Sequence, residues 1–197
     1  MAVYSQSKKI LFVHVPKAGG TSIQHWLLAN TDSQDLKNSK HFPYERIMSQ
    51  HSISVDFSFA VVRNPWDYCV SWYFFKRDRA LRRIVREDKS KGKWSAEYNK
   101  QVLEDFGKGI HYFISNMVPN ERHLQFDRVQ GVDCVMQLET LSRDFKHVQQ
   151  KFNCFKPLPT LNVADRDREY RSYYTNETRE LVANKFRKDI EYFGYSF

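Results

Sequence analysis

Three short apolar runs punctuate the chain, and each leads into apolar positions spaced as on a helix. KKILFVHV (8–15) is rich in β-formers and predicts a buried strand. GGTSIQHWLLAN follows, with Ile23, Trp26 and Leu27 at the period of one helical face. VDFSFAVVR (55–63) predicts a second strand and feeds NPWDYCVSWYFFKRD. In that stretch Asn64 suits a helix cap, Pro65 the first helical position and Asp67 the positive end of the helix dipole. GVDCVMQLE (131–139) predicts a third strand, and TLSRDFKHVQQKF (140–152) a helix with Leu141, Phe145 and Val148 on one face. One or two helices are expected over 98–117, around Gly107 and Gly109. A last helix is expected over 176–193, with Leu181, Val182, Phe186, Ile190 and Phe193 on its stripe.

The remaining segments are polar. Residues 31–50 read as a surface excursion and 156–174 as a long connection. Residues 79–100 are charged and helical in part, with a loop at KSKGKW. No repeat or low-complexity tract interrupts the pattern. Strand–helix units in series predict an α/β fold: one domain over 1–197, with a P-loop-like central, mainly parallel sheet flanked by helices.

Composition adds three constraints. At 197 residues the chain is long enough for one domain with a substantial core. The cysteines, Cys69, Cys134 and Cys154, are odd in number and irregularly spaced, so they form neither a disulfide framework nor a zinc signature. They read as buried thiols of a reducing compartment, and the absence of any apolar run of membrane-spanning length agrees with a cytoplasmic protein. A chain cut from its membrane anchor would read the same way. The net charge of +8 is uneven: nine basic residues lie between Lys76 and Lys93, opposed only by Asp78, Glu87 and Asp88. Such a block either meets an anionic partner or forms a solvated helix face.

The chemistry starts at the first strand–helix junction, VHVPKAGGTSI. In an open parallel sheet, ligands bind beyond the carboxyl ends of the strands. Gly19 and Gly20 allow a tight turn, the new helix offers unpaired N–H groups, Thr21 and Ser22 add hydroxyls, and Lys17 adds a mobile charge. Every piece favours an oxyanion, although a capped helix beside a solvated lysine would use the same residues. It is not a Walker loop, because the lysine precedes the glycines. At the second junction Arg63 ends its strand at the same sheet edge, and Ser71 shares a helical face with Asp67. Arg63 and Ser71 can hold a second phosphate, or Arg63 can pair with Asp67 instead. Two anion sites at neighbouring strand ends suggest one ligand with two anionic ends.

HVPKAGGTS followed by VVRNPWDYCVSWY resembles the paired signature of sulfotransferases that use 3'-phosphoadenosine 5'-phosphosulfate (PAPS), closest to the carbohydrate-sulfating, family 2 type branch. VDCVMQLETLSRDFKHV and LNVADRDREYRSYYTNETRELVANKFRKDIEYFGYSF are similar to later segments of that family, so the likeness runs through nearly the whole chain. The resemblance implies that Lys17, Ala18, Gly19, Gly20, Thr21 and Ser22 surround the 5' end of PAPS, with Lys17 at the phosphosulfate bridge. It assigns the 3'-phosphate to Arg63 and Ser71. It adds Asn162, Arg166 and Arg168, in the loop 161–171, as further cofactor contacts. One departure is Tyr68, where the family usually has arginine. The chain is also short for a carbohydrate sulfotransferase, which implies trimmed loops and a small or open acceptor cleft.

Sulfuryl transfer needs a stabiliser for the leaving 5'-phosphate, for which Lys17 is placed, and a base for the acceptor hydroxyl. Histidine suits the base near neutral pH. His41, in SKHFPYERI, lies between the two cofactor motifs, in the interval where some glycan-sulfating relatives carry theirs. Glu45 could orient it or replace it. His14 and His25 suit structural roles, His111, His123 and His147 lack comparable context, and Glu139 is either a ligand-orienting group or a helix-start carboxylate. No HExxH or clustered Cys/His pattern calls for a metal. The expected partner is a hydroxylated acceptor, a glycan and one that can be anionic, with no nucleic acid and no membrane. The oligomeric state is open. A nucleotide-dependent phosphotransferase and a non-catalytic nucleotide-binding protein remain the competing readings. The first lacks the usual lysine placement and a clear magnesium carboxylate.

Overall fold

The computed structural model describes residues 1–85, 96–117, 124–162 and 164–197. The chain falls into two compact units, Met1–Asn64 with His123–Val163, and Pro65–Arg122 with Ala164–Phe197.

The first unit holds the sheet. Its expected strands form as β2 (Ile10–Val13), β4 (Phe57–Val62) and β5 (Cys134–Gln137), and two further strands, β1 (Val3–Ser5) and β3 (Gln34–Asp35), join them. The order is β3-β1-β2-β4-β5. β2, β4 and β5 are parallel, whereas β1 pairs antiparallel with both β2 and β3. The sheet is therefore mixed: the expected parallel core of β2, β4 and β5 is there, extended by an antiparallel edge. Strands of three and two residues are too short to show a two-residue alternation, so the pattern could not announce them.

β2 and most of β4 are buried on both faces, which is why they read as unbroken apolar runs. Phe12 and Phe59 meet across them at 5.1 Å. Register is pinned at the start of β5, where the Asp133 carboxylate accepts both the N–H of Ser58 (2.7 Å) and its hydroxyl (2.6 Å). Helices flank this central sheet. α1 (Gly20–Asn30) buries Ile23, Trp26 and Leu27, as its spacing predicts. Trp26 meets Phe145 at 5.0 Å, and Phe145 belongs to α7 (Leu141–Phe152), which buries Leu141, Phe145, Val148 and Phe152. α7 ends on Asn153 in the left-handed conformation, with the Cys154 N–H returning to the Gln149 carbonyl. The polar stretch 31–50 is more ordered than expected, since it contains β3 and the short helix α2 (Tyr44–Gln50). A five-residue helix, α6 (Gln125–Val129), precedes β5.

The second unit is helical. α3 (Pro65–Val85) begins at the expected proline. α4 (Ala96–Gly107) and α5 (Gly109–Met117) break where the two glycines suggested. Tyr73 on α3 packs against Phe106 at 4.9 Å and Phe113 at 5.5 Å. The closing helix is two, α8 (Asn176–Lys185) and α9 (Arg187–Phe193), parted at Phe186. α8 starts with a capping box between Thr175 and Thr178. The KSKGKW loop lies outside the described residues. None of the three cysteines is in a disulfide, and among the described residues no helix is long and apolar enough to cross a membrane.

Candidate functional site

The β2–α1 turn is shaped by backbone conformations that few residues adopt. Lys17 has φ 61° and Gly19 φ 73°, both left-handed. Gly19 is the residue before α1, and its carbonyl takes the N–H of Ser22 at 3.1 Å. The glycines are required for different reasons. Gly19 needs the positive φ, and a side chain there would also meet Leu138 at 2.8 Å. Gly20 is helical, but a Cβ there would lie 2.2 Å from the His14 ring. Gly20→Ala is expected to cost about 1–3 kcal/mol through overpacking, read as a lowered unfolding midpoint. Adding His14→Ala should recover most of that loss, and an unrescued double variant would refute the clash. Ala18 and Ser22 are buried, and Thr21 is exposed at the first turn of α1. The lysine stands outside the helix, so the turn is not a Walker-type P-loop.

The end of β4 lies against the β2–α1 turn. One Nη of Arg63 donates to the Lys17 carbonyl at 3.0 Å, so the two junctions stand together. The Arg63 backbone lies beyond the last β4–β5 pair, Val62 with Gln137, because β5 gives way to a 3-10 turn over Leu138–Thr140. Two side chains replace the missing strand. Gln125 accepts the Arg63 N–H on Oε1 (2.9 Å) and donates Nε2 to the Arg63 carbonyl (2.7 Å). Glu139, in the first turn of that 3-10 helix, accepts the Asn64 N–H at 2.7 Å. Nothing in the residues around Gln125 advertised its part; a glutamine at the start of a five-residue helix has no local signature.

The histidines are brought together. The His41 and His14 rings meet edge to face at 4.9 Å, and His14 underlies Gly20, so His41 stands beside the β2–α1 turn. His41 has φ 60° and is held at both ends: Arg128 donates to its carbonyl, and its Nδ1 lies 3.5 Å from the His14 carbonyl. A carbonyl only accepts, so this contact fits the tautomer with the ring proton on Nδ1, in which Nε2 is the accepting nitrogen. Burial, with the amino terminus, Arg128 and Lys40 reinforcing it and the His14 bond opposing it, lowers His41 to about 4. Burial, then the amino terminus, His41 and Lys40, lowers His14 to about 3. Glu45 is exposed at the start of α2 and makes no bond to His41. His147 meets the Phe57 ring edge at 5.6 Å, His25 is exposed, and His123 lies outside the described residues.

The lowered values carry a stability prediction. The unfolded histidines, near 6.5, bind protons before the folded ones do, so stability rises with pH across this range. It should be complete above about pH 6.5 and lost as pH falls toward 4 and then 3. Denaturant titrations of wild type and His14→Gln along that series check it. A parallel pH dependence in the two proteins would rule out His14 as a source.

The later loop is tied to the turn by one hydrogen bond: the Leu161 N–H donates to the Ser22 hydroxyl at 3.0 Å. The neighbouring Asn162, exposed with φ 56°, is thereby held near the start of α1. Ser71, Arg166 and Arg168 belong to the second unit. Ser71 is buried on α3, Arg168 is exposed, and Arg166 pairs with Asp67 at 2.5 Å, with both side chains largely buried. Tyr68, at the position where arginine was expected, is 3% exposed and packs against Phe186 at 5.9 Å, so it is a core residue. Of the basic block, Arg77 pairs with Asp78 and lies over Phe74, and Lys76 sits over Trp72 and Phe113. Arg86, Lys89, Lys91 and Lys93 lie outside the described residues.

Comparison with known proteins agrees with the motifs. No curated protein sequence matches the chain. The profile of the sulfotransferase family matches residues 1–196, through both units and every element described above. The cationic turn before α1, joined to the arginine that follows β4, is thus part of a full-length match, and the chain belongs to the sulfotransferase family, enzymes that use PAPS as sulfuryl donor.

Proposed function

We propose that this enzyme transfers a sulfuryl group from PAPS to a hydroxyl of a carbohydrate acceptor. The observation that carries the reading is the 3.0 Å bond from Arg63 to the Lys17 carbonyl, which unites two cationic strand ends. The chemistry of the donors fits the cofactor: an ammonium, a guanidinium, a hydroxyl and the first N–H groups of a helix suit an anion with two charged ends. Lys17 and the backbone from Ala18 to Ser22 would hold the 5' end, and Arg63 with Ser71 the 3'-phosphate. Asn162, Arg166 and Arg168 are secondary contacts in this reading, and Arg166 would act while paired to Asp67. The family match spans both units, which supports treating 1–197 as one catalytic domain.

When bound, PAPS supplies the sulfuryl group. His41 Nε2 would take the proton of the acceptor hydroxyl, and Lys17 would stabilise the charge left on the 5'-phosphate oxygen when its bond to sulfur breaks. Glu45, exposed and unattached to His41, is a reserve candidate for the acceptor side. The surroundings of His41 favour an anionic glycan: Lys40 precedes it, Arg128 binds its carbonyl, and Arg46 lies 3.8 Å over the Phe42 ring. The test compares adenosine 3',5'-bisphosphate with adenosine 5'-monophosphate, with and without magnesium, and screens sugars for sulfate transfer. Tighter binding of the bisphosphate, indifferent to magnesium, is expected. Equal affinity for the two nucleotides would overturn the reading.

A further inference from the structure

The end of β4 contains a device that the family resemblance does not supply. β4 and β5 end together at the Val62–Gln137 pair, so the N–H and carbonyl of the next residue, Arg63, need partners outside the ladder, and buried groups of this kind are nearly always paired. At Arg63 a single side-chain amide does both tasks, with Oε1 on the N–H and Nε2 on the carbonyl. Gln125 is 1% exposed, so this amide is shielded from competing water. A residue gripped on both backbone groups has its Cα–Cβ direction set. Here that direction carries the guanidinium to the Lys17 carbonyl. Glu139 holds the next N–H, at Asn64, so the chain is fixed on both sides of the Arg63 carbonyl.

We infer that Gln125 is a positioning residue for recognition of the 3'-phosphate: it touches no ligand, and it aims Arg63. The inference rests on the reading above, in which Arg63 binds that phosphate. It follows that Gln125 sets the preference for a nucleotide bearing a 3'-phosphate over one without it. Glutamine is the one side chain of this length that both donates and accepts through a single planar group. In Gln125→Glu the ionised carboxylate still accepts the Arg63 N–H but sets an oxygen against the Arg63 carbonyl. In Gln125→Asn the amide is kept and falls one methylene short.

The experiment measures, by calorimetry on the full chain, the affinities of adenosine 3',5'-bisphosphate and adenosine 5'-monophosphate for wild type, Gln125→Glu, Gln125→Asn and Arg63→Ala. Both Gln125 variants should lower bisphosphate affinity by about 10- to 100-fold, the worth of a misdirected charge-assisted hydrogen bond, and leave monophosphate affinity unchanged. The amide-preserving Gln125→Asn should lose less than Gln125→Glu. Should Gln125→Glu fail to fold, Gln125→Asn decides the matter alone. An unchanged affinity ratio, or an equal fall for both nucleotides, would overturn the inference and leave Gln125 a structural residue. Arg63→Ala is the separate control: if it keeps the wild-type ratio, the assignment of Arg63 to the 3'-phosphate fails first.

Discussion

Lys17→Ala is expected to lower turnover by about 100- to 1,000-fold, the usual cost of removing one preorganised group from charge developing in a transition state. Stability should change little. The side chain is only half-buried, and the backbone carbonyl that Arg63 grips is retained. The left-handed backbone at φ 61° is as awkward for alanine as for lysine, so the substitution neither adds strain nor relieves it. The measurement pairs single-turnover transfer with the affinity for adenosine 3',5'-bisphosphate and with thermal unfolding. The prediction is a fall in rate far larger than any change in product affinity. Turnover near wild type would remove Lys17 from the mechanism.

His41→Asn should also stop transfer, by about 100- to 10,000-fold, with nucleotide binding intact. Asparagine is the informative replacement because it tolerates the left-handed conformation at φ 60° and cannot act as a base. The pH profile provides a second check. With its pKa lowered to about 4, the His41 ring is neutral, and so competent as a base, at any pH well above that value. The acid limb of kcat/KM in wild type should therefore fall below the pH at which an unperturbed histidine would give out, and should disappear in the variant's residual activity. Normal transfer by His41→Asn would pass the role to another group. Glu45 is then the first candidate to replace, since the acceptor-side reading already includes it.

The elements legible in the sequence were those whose signal is local. β2, β4 and β5 form where apolar runs predict them, and α1, α3 and α7 are the next α-helices after β2, β4 and β5 respectively, with apolar residues buried. Pro65 marks the start of α3, and the two glycines mark the break between α4 and α5. β1, β3 and α6 escaped because two to five residues span too little of any period to reveal it. The single closing helix became two because the apolar stripe runs through Phe186 without interruption, while the backbone turns there at φ -104° and ψ 23°. Tyr68 shows the limit of reading a motif by position: the residue that departs from the pattern serves the core of the second unit.

The amino-acid sequence by itself determined the strand–turn–helix units and the composition of the β2–α1 turn, because glycine freedom, helix punctuation and apolar period act over a few neighbouring residues. Only the tertiary structure decided what holds the site in place. Gln125 reaches Arg63 across 62 positions, Glu139 reaches Asn64 across 75, Arg128 reaches His41 across 87, and Leu161 reaches Ser22 across 139. Each is a hydrogen bond between a side chain and a distant backbone group. Such a bond depends on where the chain returns in space, and it leaves no period, cap or punctuation in the residues that make it.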